Sequence, residues 1–237
     1  MKPDFEALRA AFPILRRKVN GHELIYFDNA ATSQTPRVVV DAVDNAYYDR
    51  RANVHRGVHS LSQEATAAME ATRERVRAFV NADSTDEIIF TRGTTEAINL
   101  VASSYGQLLE AGDEIILTIM EHHSNIVPWQ LLQNRKGIMI KVVPIHADGT
   151  LDLDVYRSLF TERTRLVSVC QVSNVLGTIN PIAEMAAIAH SHNALICVDG
   201  AQAVAHEHVD VKALGADFYA FSSHKMYGPA GVGVLYG

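Results

Sequence analysis

The sequence predicts an α/β fold: a mostly parallel sheet of about seven strands sandwiched between helices. Three observations carry this. From residue 86 onward, short apolar runs alternate with helix-like stretches, the alternation expected of βαβ units. The runs are Glu87–Phe90, Glu114–Met120, Lys141–Ile145, Leu166–Val172, Ala194–Val198, Asp217–Phe221 and Gly231–Tyr236. Most are too uniformly apolar to face water on one side, so they read as strands buried on both faces. Finally, the last run follows Pro229-Ala230-Gly231 too closely for a helical crossover, which predicts an antiparallel neighbour or a tight loop for it.

Ahead of the sheet, Phe5, Leu8, Phe12 and Leu15 recur with helical spacing, so residues 1–20 read as an amphipathic helical arm. Residues 21–237 read as the large domain. Its first helices are expected at Ala42–Tyr48 and Gln63–Val80, the second dense in Ala, Glu and Arg. Between the strands, helices are expected at Thr94–Tyr105, Ser124–Asn134, Leu153–Leu159 and Ile182–His192.

Composition narrows the function classes. Hydrophobic residues make up 48% and charged residues 20%, as in an ordinary soluble domain with a proper core. The net charge of -6 argues against a general nucleic-acid binder. Two cysteines, Cys170 and Cys197, make no disulfide framework and suit a reducing compartment. The N-terminus has early acidic residues and no continuous apolar core, unlike a signal peptide. No stretch reaches the apolar length of a membrane span. A cytoplasmic protein, with neither nucleic acid nor membrane as partner, is the expectation.

In such a sheet, ligands gather where strands end and helices begin. After Glu87–Phe90 comes Thr91-Arg92-Gly93-Thr94-Thr95-Glu96, hydroxyls and backbone donors at a helix start that can cradle a phosphate. Taken alone, it is equally ordinary helix capping. After Glu114–Met120 come His122 and His123. Adjacent histidines diverge, and neither they nor His190-x-His192 and His206-x-His208 complete a metal spacing, so no metal is expected. A strand-end imidazole can instead stack on a flat ligand and move protons. Asp199, directly after an apolar run, reads either as a helix N-cap or as a buried anion for a cationic ring nitrogen. Lys225, in Ser222-Ser223-His224-Lys225, ends another run. Lysine is seldom buried without a partner, and desolvation favours its use as a Schiff-base nucleophile. Together these are the parts that a pyridoxal-phosphate site needs.

Seven ordered motifs then resemble one family: YFDNAATSQTP (26–36), RANVHRGVHSLS (51–62), FTRGTTEAINLVA (90–102), EHHSNIVPW (121–129), VSNVLGTINP (172–181), VDGAQAV (198–204) and FYAFSSHKMYGPAGVGVLYG (218–237). They are similar to those of class V, fold-type I pyridoxal-phosphate enzymes, and within these to the SUF-type cysteine desulfurases and their selenocysteine-lyase-like and cysteine-sulfinate-desulfinase-like kin. The resemblance implies a PLP-dependent transferase-like large domain with the cofactor pyridoxal 5'-phosphate. By it, Lys225 matches the lysine that carries the cofactor and moves the substrate α-proton. Asp199 and Gln202 match the partners of the ring nitrogen and ring hydroxyl, and His123 the stacking histidine, a candidate acid or base. Thr94, Thr95, Ser222 and His224 match the phosphate ligands, and Asn174 a residue near the substrate carboxylate. His55 and Arg56 match positions bordering the entrance or the dimer interface.

The implied reaction takes L-cysteine to L-alanine and leaves persulfide sulfur on an enzyme cysteine, for iron-sulfur cluster assembly through a sulfur-acceptor protein. The family's nucleophile, its small domain and a carboxylate-clamping arginine lie beyond the imine lysine. The chain is therefore expected to be an N-terminal piece, itself inactive. The family is homodimeric, and with apolar surface uncovered this piece should pair poorly with itself. Selenocysteine lyase, cysteine sulfinate desulfinase, a class V aminotransferase and a non-catalytic binding fragment are the alternatives. Cys170 and Cys197 lie in apolar runs, where a cysteine behaves as a small hydrophobe, so neither is expected to be the nucleophile.

Overall fold

The computed structural model describes residues 4–237, which divide into two compact units. The larger comprises Arg77–Ser222 and Val232–Gly237, the smaller the chain to Val76 together with Ser223–Gly231.

The smaller unit opens with α1 (Phe5–Ala11), whose start is capped by the Asp4 carboxylate accepting from the Glu6 and Ala7 amides. The helix expected to run on to Leu15 breaks at Phe12, and Pro13–Arg16 form a separate 3-10 turn. Pro13 has no N–H to donate back into the helix, which is reason enough. Two short strands follow, β1 (Lys18–Val19) and β2 (His22–Glu23), paired antiparallel. Asn20 and Gly21 turn between them, both with positive φ (52° and 82°), the pairing of residues that a type I′ hairpin needs. Next come α2 (Arg37–Tyr48), which starts right after Pro36 and five residues before the expected Ala42, and α3 (Ser60–Val80), which runs across the division into the larger unit.

The larger unit holds the sheet: β3 (Ile88–Thr91), β4 (Glu114–Thr118), β5 (Met139–Val143), β6 (Thr164–Cys170), β7 (Leu195–Asp199), β8 (Phe218–Ser222) and β9 (Gly233–Tyr236). Their order across it is β3-β9-β8-β7-β6-β4-β5. The five strands from β5 to β8 are parallel, and β9 is antiparallel to both β8 and β3. The seven strands and the reversed last one agree with the sequence reading. Helices α4 (Thr94–Ser104), α5 (Val127–Lys136), α6 (Leu153–Ser158), α7 (Ile182–Ser191) and α8 (Val211–Leu214) connect the strands. The helix expected from Ser124 begins instead as a 3-10 turn, His123–Asn125, and α5 starts only at Val127, just before Pro128.

Strand side chains alternate between the two faces. Ile115, Leu117, Leu166, Cys197, Ala220 and Leu235 pack with Ala97, Ile98 and Val101 of α4 and Trp129 and Leu132 of α5. Met185, Ala186 and Ala189 of α7 are buried too, and the Tyr156 hydroxyl donates to the Met185 carbonyl (2.8 Å). Because β9 reverses, β3 runs parallel to β8. The carboxyl ends of β3, β8, β7, β6 and β4 therefore share one edge, and the residues that follow them are brought to it.

Candidate functional site

At the β8 end of that edge, the buried hydroxyls of Ser222 and Thr94 lie 2.8 Å apart, and the Thr94 amide donates to Ser222 Oγ (2.7 Å). Thr94 begins α4, so two of the expected phosphate ligands meet at a helix N-terminus. Thr95 is exposed beside them. Gly93 precedes them with φ 150°, a value that side-chain-bearing residues rarely adopt. It is pressed by the start of β9: a Cβ on Gly233 would stand 2.4 Å from Gly93 Cα.

One strand along, Asp199 is the last residue of β7 and is buried. Its Oδ1 accepts from the Ala201 amide (2.9 Å), so a cap-like bond is present, although only turns follow and no regular helix. Gln202 is half-buried within those turns. Gly200 lies against the ring of buried Tyr219, where a Cβ would come within 2.1 Å. The Tyr219 hydroxyl donates to Gln171 Oε1 (2.6 Å).

Beyond β4, His122 and His123 are exposed, while Glu121 just before them is buried. Glu121 Oε1 accepts from the Thr118 hydroxyl (2.6 Å) and the Cys170 amide (3.1 Å), and Oε2 accepts from Asn125 Nδ2 (2.6 Å). Burial, and after it the nearby Asp199 charge, push the carboxyl up to about 7, against the pull of these hydrogen bonds. His123 and Asn174, both expected near the substrate, line one cleft of about 330 Å³ with Glu121, Ser173, Val175 and Leu176. Thr94, Asp199 and Ser222 are not among the residues lining it.

Lys225 and His224 belong to the smaller unit, in a 3-10 turn following Ser222 in the chain. Within that unit the turn is clasped by the 26–36 motif. The Ser33 amide (2.9 Å) and hydroxyl (3.0 Å) donate to the His224 carbonyl, and the Tyr227 amide donates to Ser33 Oγ (2.7 Å). The Thr32 hydroxyl lies 3.2 Å from His224 Nδ1. Lys225 is half-buried, and burial, aided by the neighbouring lysine charge, lowers the His224 pKa. His55 has a positive φ of 63°, and its Nε2 lies 3.2 Å from Glu70 Oε1; Arg56 is exposed.

Sequence reasoning missed Glu121, Tyr219 and Ser33. A glutamate wedged between an apolar run and two histidines was a usable signal. So were the hydroxyls of Thr32-Ser33 inside a motif read only for its resemblance.

Both thiols are buried, as expected. Burial pushes Cys197 up to about 12 and Cys170 further, with Glu121 and Asp199 adding to the rise at Cys170. Native protein should therefore react with an aromatic disulfide reagent at least about a hundredfold more slowly than a small free thiol. Prompt labelling of either cysteine at neutral pH, before unfolding, would contradict this burial.

The aminotransferase class-V family model matches residues 25–237. A cysteine desulfurase of Klebsiella pneumoniae is 56% identical over 98% of this chain and 57% of its own length. One of Salmonella typhimurium is 55% identical, with the same coverage. Among solved structures, the apo cysteine desulfurase of Thermococcus onnurineus superposes with a TM-score of 0.91 at 44% identity, over 100% of this chain and 57% of that one. The Escherichia coli cysteine desulfurase CsdA, in its S-sulfonic acid form, gives 0.86 at 39% identity, over 100% and 58%. The chain thus spans a little over half the length of the relatives it matches.

Proposed function

We propose, on the premise that this chain belongs to the class-V aminotransferase family, that it is the cofactor-holding part of a pyridoxal-phosphate-dependent cysteine desulfurase. The observation that carries this reading is a buried carboxylate, Asp199, on the same sheet edge as the paired hydroxyls of Thr94 and Ser222. The relatives named above, all cysteine desulfurases, support the substrate class.

The donor set fits the cofactor. A phosphate dianion calls for hydroxyls and amides at a helix start, which Thr94, Thr95 and Ser222 supply at α4, with His224 as a further donor. A pyridinium N–H calls for a buried acceptor, which is Asp199, and Gln202 suits the ring hydroxyl. Lys225 would anchor the group covalently. When bound, pyridoxal phosphate withdraws electrons from the amino-acid α-carbon. Lys225 would take and return the α-proton, and His123 would lie beside the group and hold a second proton. Asn174 orients the substrate carboxylate, and His55 and Arg56 border the entrance. Sulfur passes to a thiol other than Cys170 and Cys197, whose burial disqualifies both. The intact protein is, in this reading, a cytoplasmic homodimer that feeds sulfur to an acceptor protein for iron-sulfur assembly. Among the described residues, no helix is long and apolar enough to cross a membrane.

The test is a substrate panel on the intact protein loaded with pyridoxal phosphate. Alanine and sulfide should form in equal amounts from L-cysteine. Faster release from selenocysteine or cysteine sulfinate, or amino transfer to a 2-oxo acid without sulfide, would reassign it. The 237-residue chain alone should give no repeated turnover.

Asp199→Ala should weaken cofactor binding about thirtyfold or more and shift the absorbance of bound cofactor. An ordinary cap is worth only about 1 kcal/mol. An unchanged spectrum and affinity would leave Asp199 as a cap alone.

A further inference from the structure

We infer that Glu121 is a second carboxylate of the cofactor site, positioning the His122–His123 turn and releasing a proton when a cationic ring is captured at Asp199. The inference rests on the cofactor reading above and deepens it.

The geometry fixes which atoms donate. Trp129 Nε1–H can only donate, and it points at Asn125 Oδ1 (3.1 Å), which also accepts from the Ser168 hydroxyl (2.5 Å). That sets the Asn125 amide, so its Nδ2 must face Glu121 Oε2 (2.6 Å). On the other oxygen, the Cys170 amide is likewise an obligate donor (3.1 Å). Only the Thr118 hydroxyl can turn from donor to acceptor. Ionised, the carboxylate satisfies three donors from a buried position at the wall of the His123 cleft. Protonated, it has one place for its proton, on Oε1 towards Thr118 Oγ1. A glutamine would set N–H against either Asn125 Nδ2 or the Cys170 amide, so the network selects a carboxylate over its isostere.

This network anchors the turn that carries His123, since Asn125 is its last residue and Glu121 lies just before its capping residue, His122. It also reaches the ring partner. Cys170, whose amide is bound to Glu121, is the register partner of Asp199 across β6 and β7. The titratable groups that face Glu121 are Asp199 and Cys170, with Cys197 deeper on β7; His122 and His123 follow in the chain. Asp199 is the charge among them that opposes ionisation, and its repulsion is part of what holds Glu121 near neutrality. A cation placed on Asp199 cancels that repulsion, so Glu121 ionises and, by linkage, binds the cation more tightly as pH rises.

Trp129, the single tryptophan of this chain, reports on the far end of the network. In the ligand-free 237-residue chain, its indole N–H resonance should titrate near neutral pH, and Glu121→Gln should abolish the titration. Saturating pyridoxine 5'-phosphate, which has no aldehyde and cannot bond to a lysine, should lower the midpoint by about one pH unit. The affinity ratio of wild type to Glu121→Gln for that probe should rise about fivefold from pH 6 to pH 8. An indole signal that stays flat in wild type, or that still titrates in the variant, overturns the network. Tight binding that leaves the midpoint unmoved overturns the coupling while sparing the cofactor reading. Failure of both proteins to bind the probe removes the cofactor reading, and this inference with it. Should Glu121→Gln not fold, the midpoint shift in wild type decides alone.

Discussion

With Lys225 replaced by alanine, borohydride treatment of the protein with pyridoxal phosphate should trap no adduct, and the visible absorbance of bound cofactor should vanish. The expected loss is complete, because no neighbouring group can replace a covalent bond to one amine. The fold should survive. Lys225 is half-buried in a short turn, and the hydrogen bonds that clasp that turn run from Ser33 to the His224 carbonyl and from the Tyr227 amide to Ser33. These are backbone and serine contacts that alanine leaves alone. Thermal unfolding should therefore move by no more than a few degrees while trapping falls to background. A trapped adduct mapped by peptide mass to another lysine would show that Lys225 is not the attachment point. Ser33→Ala offers a graded companion. It removes one acceptor and one donor from the clasp, so trapping should slow without disappearing.

The second large effect is on stability. Gly233→Ala should cost about 3 kcal/mol or more, since the new methyl would meet Gly93 Cα at 2.4 Å and the Phe221 carbonyl oxygen at 2.7 Å. Both are backbone atoms in or beside the sheet, so neither can swing aside as a side-chain tip would. For a protein of this size, that corresponds to a fall of roughly 6–12 °C in melting temperature. The shift also lands on the start of α4, so affinity at the proposed phosphate site should drop along with stability. Gly177→Ala is the control. It too has a positive φ (71°) but meets nothing within 4 Å, and should lose only about 1 kcal/mol. Equal melting temperatures for the two variants would mean that β9 can retreat from Gly93.

Most of the larger unit was legible because its central strands, β4 and β6 to β8, are buried on both faces, which leaves an apolar signature that helices flanked by polar residues interrupt. Runs such as Ala194–Val198 and Asp217–Phe221 fall within a residue or two of β7 and β8. The order of strands was not legible, because uniformly apolar strands carry no mark of their neighbours. Errors at helix ends have local causes: Pro13 cuts the first helix, and Pro128 delays α5. The Asn20-Gly21 turn carries a sequence signal, but its two-residue strands are too short to show alternation. Within the site, hydroxyl and carboxylate positions at strand ends were readable from spacing. The role of Glu121 was not, because it depends on Thr118, Asn125 and the Cys170 amide being folded around it.

The reversed placement of β9 has a consequence for how the polypeptide emerges from the ribosome. Ile88 pairs with Tyr236, so β3 gains its only strand partner among the described residues about 150 residues after it is made. The parallel strands β4 to β8 can assemble among themselves in order of synthesis, but β3 keeps a bare hydrogen-bonding edge until translation has passed residue 236. Nascent chains halted after β8 should thus be cut by protease around residues 86–93, and become resistant once β9 clears the exit tunnel. Synthesis speed over that interval then governs how long an adhesive edge meets other chains.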